Sequence, residues 1–65
     1  MIKDVSIYVR IRKVNEQMFY NKEHYIGNAY KVEAISQEEY RCIGLSDKFR
    51  IIKKDCEIVK IDIHV

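Results

Sequence analysis

The sequence predicts an all-β domain of five short strands closed into a small barrel. Val5, Ile7, Val9 and Ile11 alternate with Ser6, Tyr8, Arg10 and Arg12, the period-two pattern of a long half-buried strand. Four further runs of strand-like composition follow from Tyr30 onward, at short spacing and joined by polar turns. Such a series is typical of small barrels. The last run, Ile58, Val59, Ile61 and Ile63, is about as long as the first, so the two are expected to pair and close the sheet.

In chain order, the β-branched residues of the first strand suit a pleated surface. Val14 breaks parity with Lys13 and marks a bulge or the strand end. Residues 15–28 hold Met18, Phe19, Tyr20, Tyr25 and Ile26, which fit no strand period. They predict a long structured loop, with room for one helical turn, whose aromatic residues fold back on the barrel. Gly27-Asn28 ends the loop, since both residues tolerate positive φ. Tyr30, Val32 and Ala34 then face one way, with Lys31 and Glu33 opposite. After a turn at Ser36–Glu38 comes a strand from Tyr40 to Leu45, with Gly44 allowing a kink. Ser46-Asp47-Lys48 closes a hairpin onto a strand at Phe49–Ile52. Lys53-Lys54-Asp55 reads as one 3₁₀ turn, which reverses the chain in few residues.

The chain has 65 residues, enough for one domain over 1–65. A domain of this size buries only about 60% of its unfolded surface, so its core must be compact. Twelve Lys+Arg against ten Asp+Glu leave a net charge of +2, too balanced to imply a nucleic-acid partner alone. No proline and two glycines argue against low complexity. The opening Met-Ile-Lys-Asp-Val-Ser has no apolar stretch or small-residue cleavage site of a signal peptide. The expectation is therefore a cytoplasmic protein with no membrane contact, whose Cys42 and Cys56 are reduced thiols.

The order of elements, together with Ile26-Gly27-Asn28-Ala29-Tyr30-Lys31-Val32 before the second strand and Ile51-Ile52-Lys53-Lys54-Asp55-Cys56-Glu57-Ile58-Val59 near the end, resembles the Src homology 3-like barrel over roughly residues 3–62. It also resembles the very small barrel proteins of bacteriophages that infect Gram-positive bacteria. The first resemblance implies a long loop after the first strand and a 3₁₀ turn before the last. The second implies a phage or mobile-element origin and a host protein as partner. Proline-rich peptide recognition is not carried over, because the sequence lacks tryptophan and an acidic loop cluster beyond Glu16 and Glu23.

The chemistry-bearing residues divide into four groups. His24, Cys42, Cys56 and His64 are scattered, without the paired spacing of a zinc site. Cys42 and Cys56 read as small buried hydrophobes, and no metal or cofactor is expected. Ser6, Ser36 and Ser46 lack any motif of a nucleophile beside a base, while Asp47 and Asp55 are accounted for as turn formers. The chain is thus expected to be a binding module and not an enzyme. Met18, Phe19, Tyr20 and Tyr25 are more aromatic and Met side chains than so small a barrel can hold inside. Such residues are enriched in interface cores, which makes the loop at 18–26 the expected protein-binding surface. The alternative is nucleic-acid binding through Tyr8, Arg10, Arg12, Lys53 and Lys54, an aromatic residue beside cations being the pattern of a single-strand platform. Asp47, Asp55 and Glu57 interrupt that basic group. The expected state is a monomer or weak homodimer.

Overall fold

The computed structural model describes residues 4–64, and its central element is β1 (Asp4–Ile11). With β2 (Ala29–Ala34), β3 (Glu39–Cys42), β4 (Arg50–Ile52) and β5 (Cys56–His64) it forms one antiparallel sheet in the order β4-β3-β2-β1-β5. Two 3₁₀ turns, at Glu23–Tyr25 and Lys53–Asp55, are the only helical segments among the described residues. None is long and apolar enough to cross a membrane.

The alternation in β1 decides which face becomes the core. Val9 and Ile11 are fully buried, whereas Arg10 and Arg12 are exposed. Directly opposed residues in an antiparallel pair share a face. Ile7 opposes Val32, Val32 opposes Cys42, and Tyr40 opposes Ile51. The core is this one face, with Tyr20 added from the loop. Each fully buried aliphatic side chain in it contributes about 1.5–3 kcal/mol.

Several boundaries differ from those read in the sequence. β3 ends at Cys42 and not at Leu45. Gly44 has φ 87°, a left-handed conformation that suits glycine and turns the chain out of the sheet. Ile43 and Leu45 are therefore exposed in the turn, and the Phe49 N–H donates to the Ser46 carbonyl at 3.0 Å to close it. β1 ends at Ile11, before Val14, and the bulge falls in β5 instead. Tyr8 opposes Lys60 while Val9 opposes Ile58, so Val59 is the extra residue.

The sheet is not closed. β1 and β5 pair along their whole length, in keeping with their matched lengths. However, β4 and β5 are the two ends of the strand order, and no ladder joins them. β4 has only three residues, and the 3₁₀ turn after it delivers the chain directly to β5. Beyond the bulge, β5 follows β1 outward. Residues Asp4–Ser6 have β5 as their one strand partner, so the two strands overhang the sheet. The molecule is accordingly elongated, 40 × 20 × 20 Å.

Candidate functional site

The long loop, expected to carry function, is held to the sheet by Asp55. The Arg12 and Lys13 N–H groups both donate to the Asp55 carbonyl, at 2.8 and 3.1 Å. The Asp55 carboxylate accepts from Asn15 Nδ2 at 3.0 Å and from the Tyr20 hydroxyl at 2.8 Å. That hydroxyl in turn accepts the Ile52 N–H at 2.9 Å. Asn15 also shapes the loop, its Oδ1 accepting the Gln17 N–H at 3.0 Å. A buried polar group without a partner is costly, and here every member of the set has one. Burial in this network raises the Tyr20 pKa well above its ordinary value: desolvation dominates, opposed by the Ile52 N–H bond and reinforced by Asp55.

Tyr20 is therefore a core residue and not an exposed anchor: its exposure is 0%. Sequence reasoning places it in the loop's binding set because adjacent residues in an extended segment point to opposite sides. In the structure both Phe19 and Tyr20 turn inward and meet edge to face, with ring centroids 5.2 Å apart. Phe19 also meets Tyr25 and Tyr30 edge to face at 5.7 Å each, and Phe49 at 5.0 Å. Edge-to-face pairs add about 0.5–1.5 kcal/mol beyond burial, so the loop is braced by its own aromatic residues.

Met18, Phe19 and Tyr25 remain half-buried at the surface of this cluster. Met18 and Phe19 form the apolar floor of a groove of about 520 Å³ whose other walls are Gln17, Asp47, Lys48 and Arg50. The groove thus lies between the loop and the β3–β4 turn. Its rim is ordered by two contacts: Arg50 Nε donates to the Asp47 carbonyl at 3.0 Å, and Lys48 lies 5.9 Å from the Phe49 ring centre.

The candidate nucleic-acid residues are held in local pairs. Arg12 is ion-paired with Glu57 at 3.0 Å. Lys53 lies over the Tyr40 ring and Lys60 over the Tyr8 ring, at 5.1 and 5.6 Å. The Asp55 bonds bring the 3₁₀ turn carrying Lys53 and Lys54 to the end of β1, but Glu57 stands opposite Arg10 in the same strand pair. A phosphate-tracking stripe depends on undiluted positive charge, and this one is interleaved with acid. Among the described residues, no three His, Cys, Asp or Glu side chains converge as metal ligands would.

Cys42 is buried in the core and Cys56 is partly buried. Desolvation pushes both thiols from 9.0 up to about 11, with Cys56 adding to the shift of Cys42 and Asp55 to that of Cys56. The thiolate is the reactive form. Near neutral pH, a shift of that size lowers its population roughly a hundredfold. Both cysteines should label slowly with a thiol reagent in the native protein, and fast only in denaturant or as the pH approaches the raised values. Rapid labelling of both at neutral pH would contradict the burial described.

Two features have little signal in the sequence. Asp55 reads as an ordinary turn residue, and nothing near it reveals bonds to Asn15 and Tyr20 across the fold. Val5, Ile58, Val59, Ile61 and Ile63 read as a core strand and its partner, yet each is at least 40% exposed. No protein family, curated protein or solved structure matches the chain.

Proposed function

We propose that this protein is a non-enzymatic, cytoplasmic binding module of the Src homology 3-like barrel type, encoded by a phage or mobile element, that engages a host protein beside the loop at 18–26. The observation that carries this reading is the groove floored by Met18 and Phe19 and rimmed by Lys48 and Arg50. An apolar floor inside a charged rim is the arrangement of a protein-interaction patch. It suits an extended segment that offers one apolar side chain next to an acidic one. The aromatic contacts beneath Phe19 support the same reading, because a braced floor loses little entropy on binding. Tyr25 acts as a buttress through its ring contact with Phe19, and Tyr20 acts only through the fold.

The test is retention of a host protein by the immobilised chain, with and without nuclease and across a salt series. Met18→Glu places a charge on the apolar floor at a half-exposed position, so it should abolish retention and leave the fold intact. Loss of a buried anchor at an interface costs about 2–4 kcal/mol. Arg10→Ala with Arg12→Ala should change retention little, since rim charges contribute little. If the arginine pair is essential, and retention is lost with nuclease or at high salt, the partner is nucleic acid. A partner held equally well by Met18→Glu would remove the groove from the account.

A further inference from the structure

β5 is an edge strand whose outer side meets no other strand among the described residues. Which of its backbone groups face outward follows from the far side of β1. The Ile11 N–H donates to the Asn28 carbonyl at 3.0 Å, and the Ile11 carbonyl accepts the Gly27 N–H at 2.8 Å. Ile11 therefore turns both groups toward the β2 side. Backbone groups along a strand alternate in direction, so Tyr8 and Ser6 turn theirs toward β5. Their partners there are Lys60 and Asp62. Those two residues bond inward to β1, which leaves Ile61 and Ile63 with N–H and carbonyl groups pointing away from the sheet. The side chains of Ile61 and Ile63 are 53% and 58% exposed, beside Val5 at 52%. An exposed apolar edge of this kind is a template for another strand.

We infer that β5 pairs antiparallel with β5 of a second copy of this chain, about a two-fold axis through the Ile61 pair, joining two five-stranded sheets edge to edge. The register comes from the sequence Val59-Lys60-Ile61-Asp62-Ile63. A two-fold axis normal to the sheet keeps each face on its own side, so it must pass through a pair of identical residues. Centred on Ile61, Lys60 of each copy meets Asp62 of the other, and Val59 meets Ile63. One face of the junction is then wholly apolar and the other holds two opposite-charge pairs. Lys60 already lies 3.4 Å from Asp62 within the chain, so both groups stand on that face. Centring on Lys60 or on Asp62 sets like charges against each other, and centring on Val59 sets Lys60 against Ile58. The bulge at Val59 interrupts the ladder and confines the contact, which closes as an isologous pair and does not propagate. So short a contact lies below the size of a standard interface, and the dimer is concentration-dependent. This inference is independent of the loop groove.

The test is sedimentation equilibrium of the full chain. Wild type should pass from monomer to dimer between micromolar and millimolar concentration. Lys60→Glu alone and Asp62→Lys alone should each weaken self-association by about tenfold or more, since two attractive pairs become repulsive. Mixing the two variants should restore association, because the copy with two carboxylates at these positions then meets the copy with two ammonium groups. Under mild oxidation Ile61→Cys should link to its own copy, while Ile63→Cys, which faces Val59, should not. A wild-type chain that stays monomeric at millimolar concentration overturns the proposal and leaves the edge for an extended strand of another protein. So does a mixture that associates no better than its components, or equal linking by the two cysteine variants.

Discussion

Tyr20→Ala should unfold the protein at room temperature, or bring its denaturation midpoint close to zero urea. The ring is fully buried among residues of both the sheet and the loop, and removing an aromatic side chain from such a site costs about 3–5 kcal/mol. Its hydroxyl is also the link between Asp55 and the Ile52 N–H. Without it, both lose a partner, at about 1–3 kcal/mol for a buried polar group left unpaired. Those sums approach the whole stability of a small domain, about 5 kcal/mol. Tyr20→Phe separates the two contributions: it keeps the ring and should lower stability by about 1–3 kcal/mol. Asp55→Ala should cost a similar amount, and the double variant less than the sum, because the two residues share one hydrogen bond. Urea unfolding followed by circular dichroism measures each variant against wild type. A Tyr20→Ala midpoint equal to wild type would mean that the loop does not dock as described.

The contrast between Tyr20 and Val9 explains what is legible in the sequence. Strand positions near β1 are readable because alternation fixes the face of each side chain locally. Val9 and Val32 are buried as that pattern requires. The 3₁₀ turn at Lys53–Asp55 is readable for a similar reason, as little else connects two strands in three residues. Tyr20 is not readable as core. Its place depends on Asp55, separated from it by 35 positions, and an aromatic residue in a loop carries no local mark of such a partner. β5 misleads in the other direction. Apolar residues at both parities suggest a strand covered on both faces, yet β5 is an edge, and Ile61 and Ile63 stay exposed. The candidate site is legible in part: Met18 and Phe19 do line a groove, but its other wall comes from Asp47, Lys48 and Arg50, brought there by the β3–β4 hairpin.

Val9→Asp should have an effect as large as Tyr20→Ala by a different route. Val9 is fully buried, with Tyr30 opposite on β2 and Ile58 opposite on β5. The core around it is apolar and holds no Lys or Arg. A carboxylate there has no counter-charge, and an uncompensated buried charge costs several kcal/mol. The variant should be unfolded at neutral pH. Burial disfavours the charged form, so any folded population must hold the new carboxyl protonated, with its pKa raised. The folded state then binds a proton that the unfolded chain releases, and stability should return as the pH falls and decline again as it rises. Partial recovery of the β-sheet signal in acid would carry that signature. Arg10→Asp, one residue along on the exposed face, is the control. It sets a like charge beside Glu57 and should cost less than about 1 kcal/mol. If the two variants unfolded at the same urea concentration, the buried and exposed faces of β1 would be the reverse of those described.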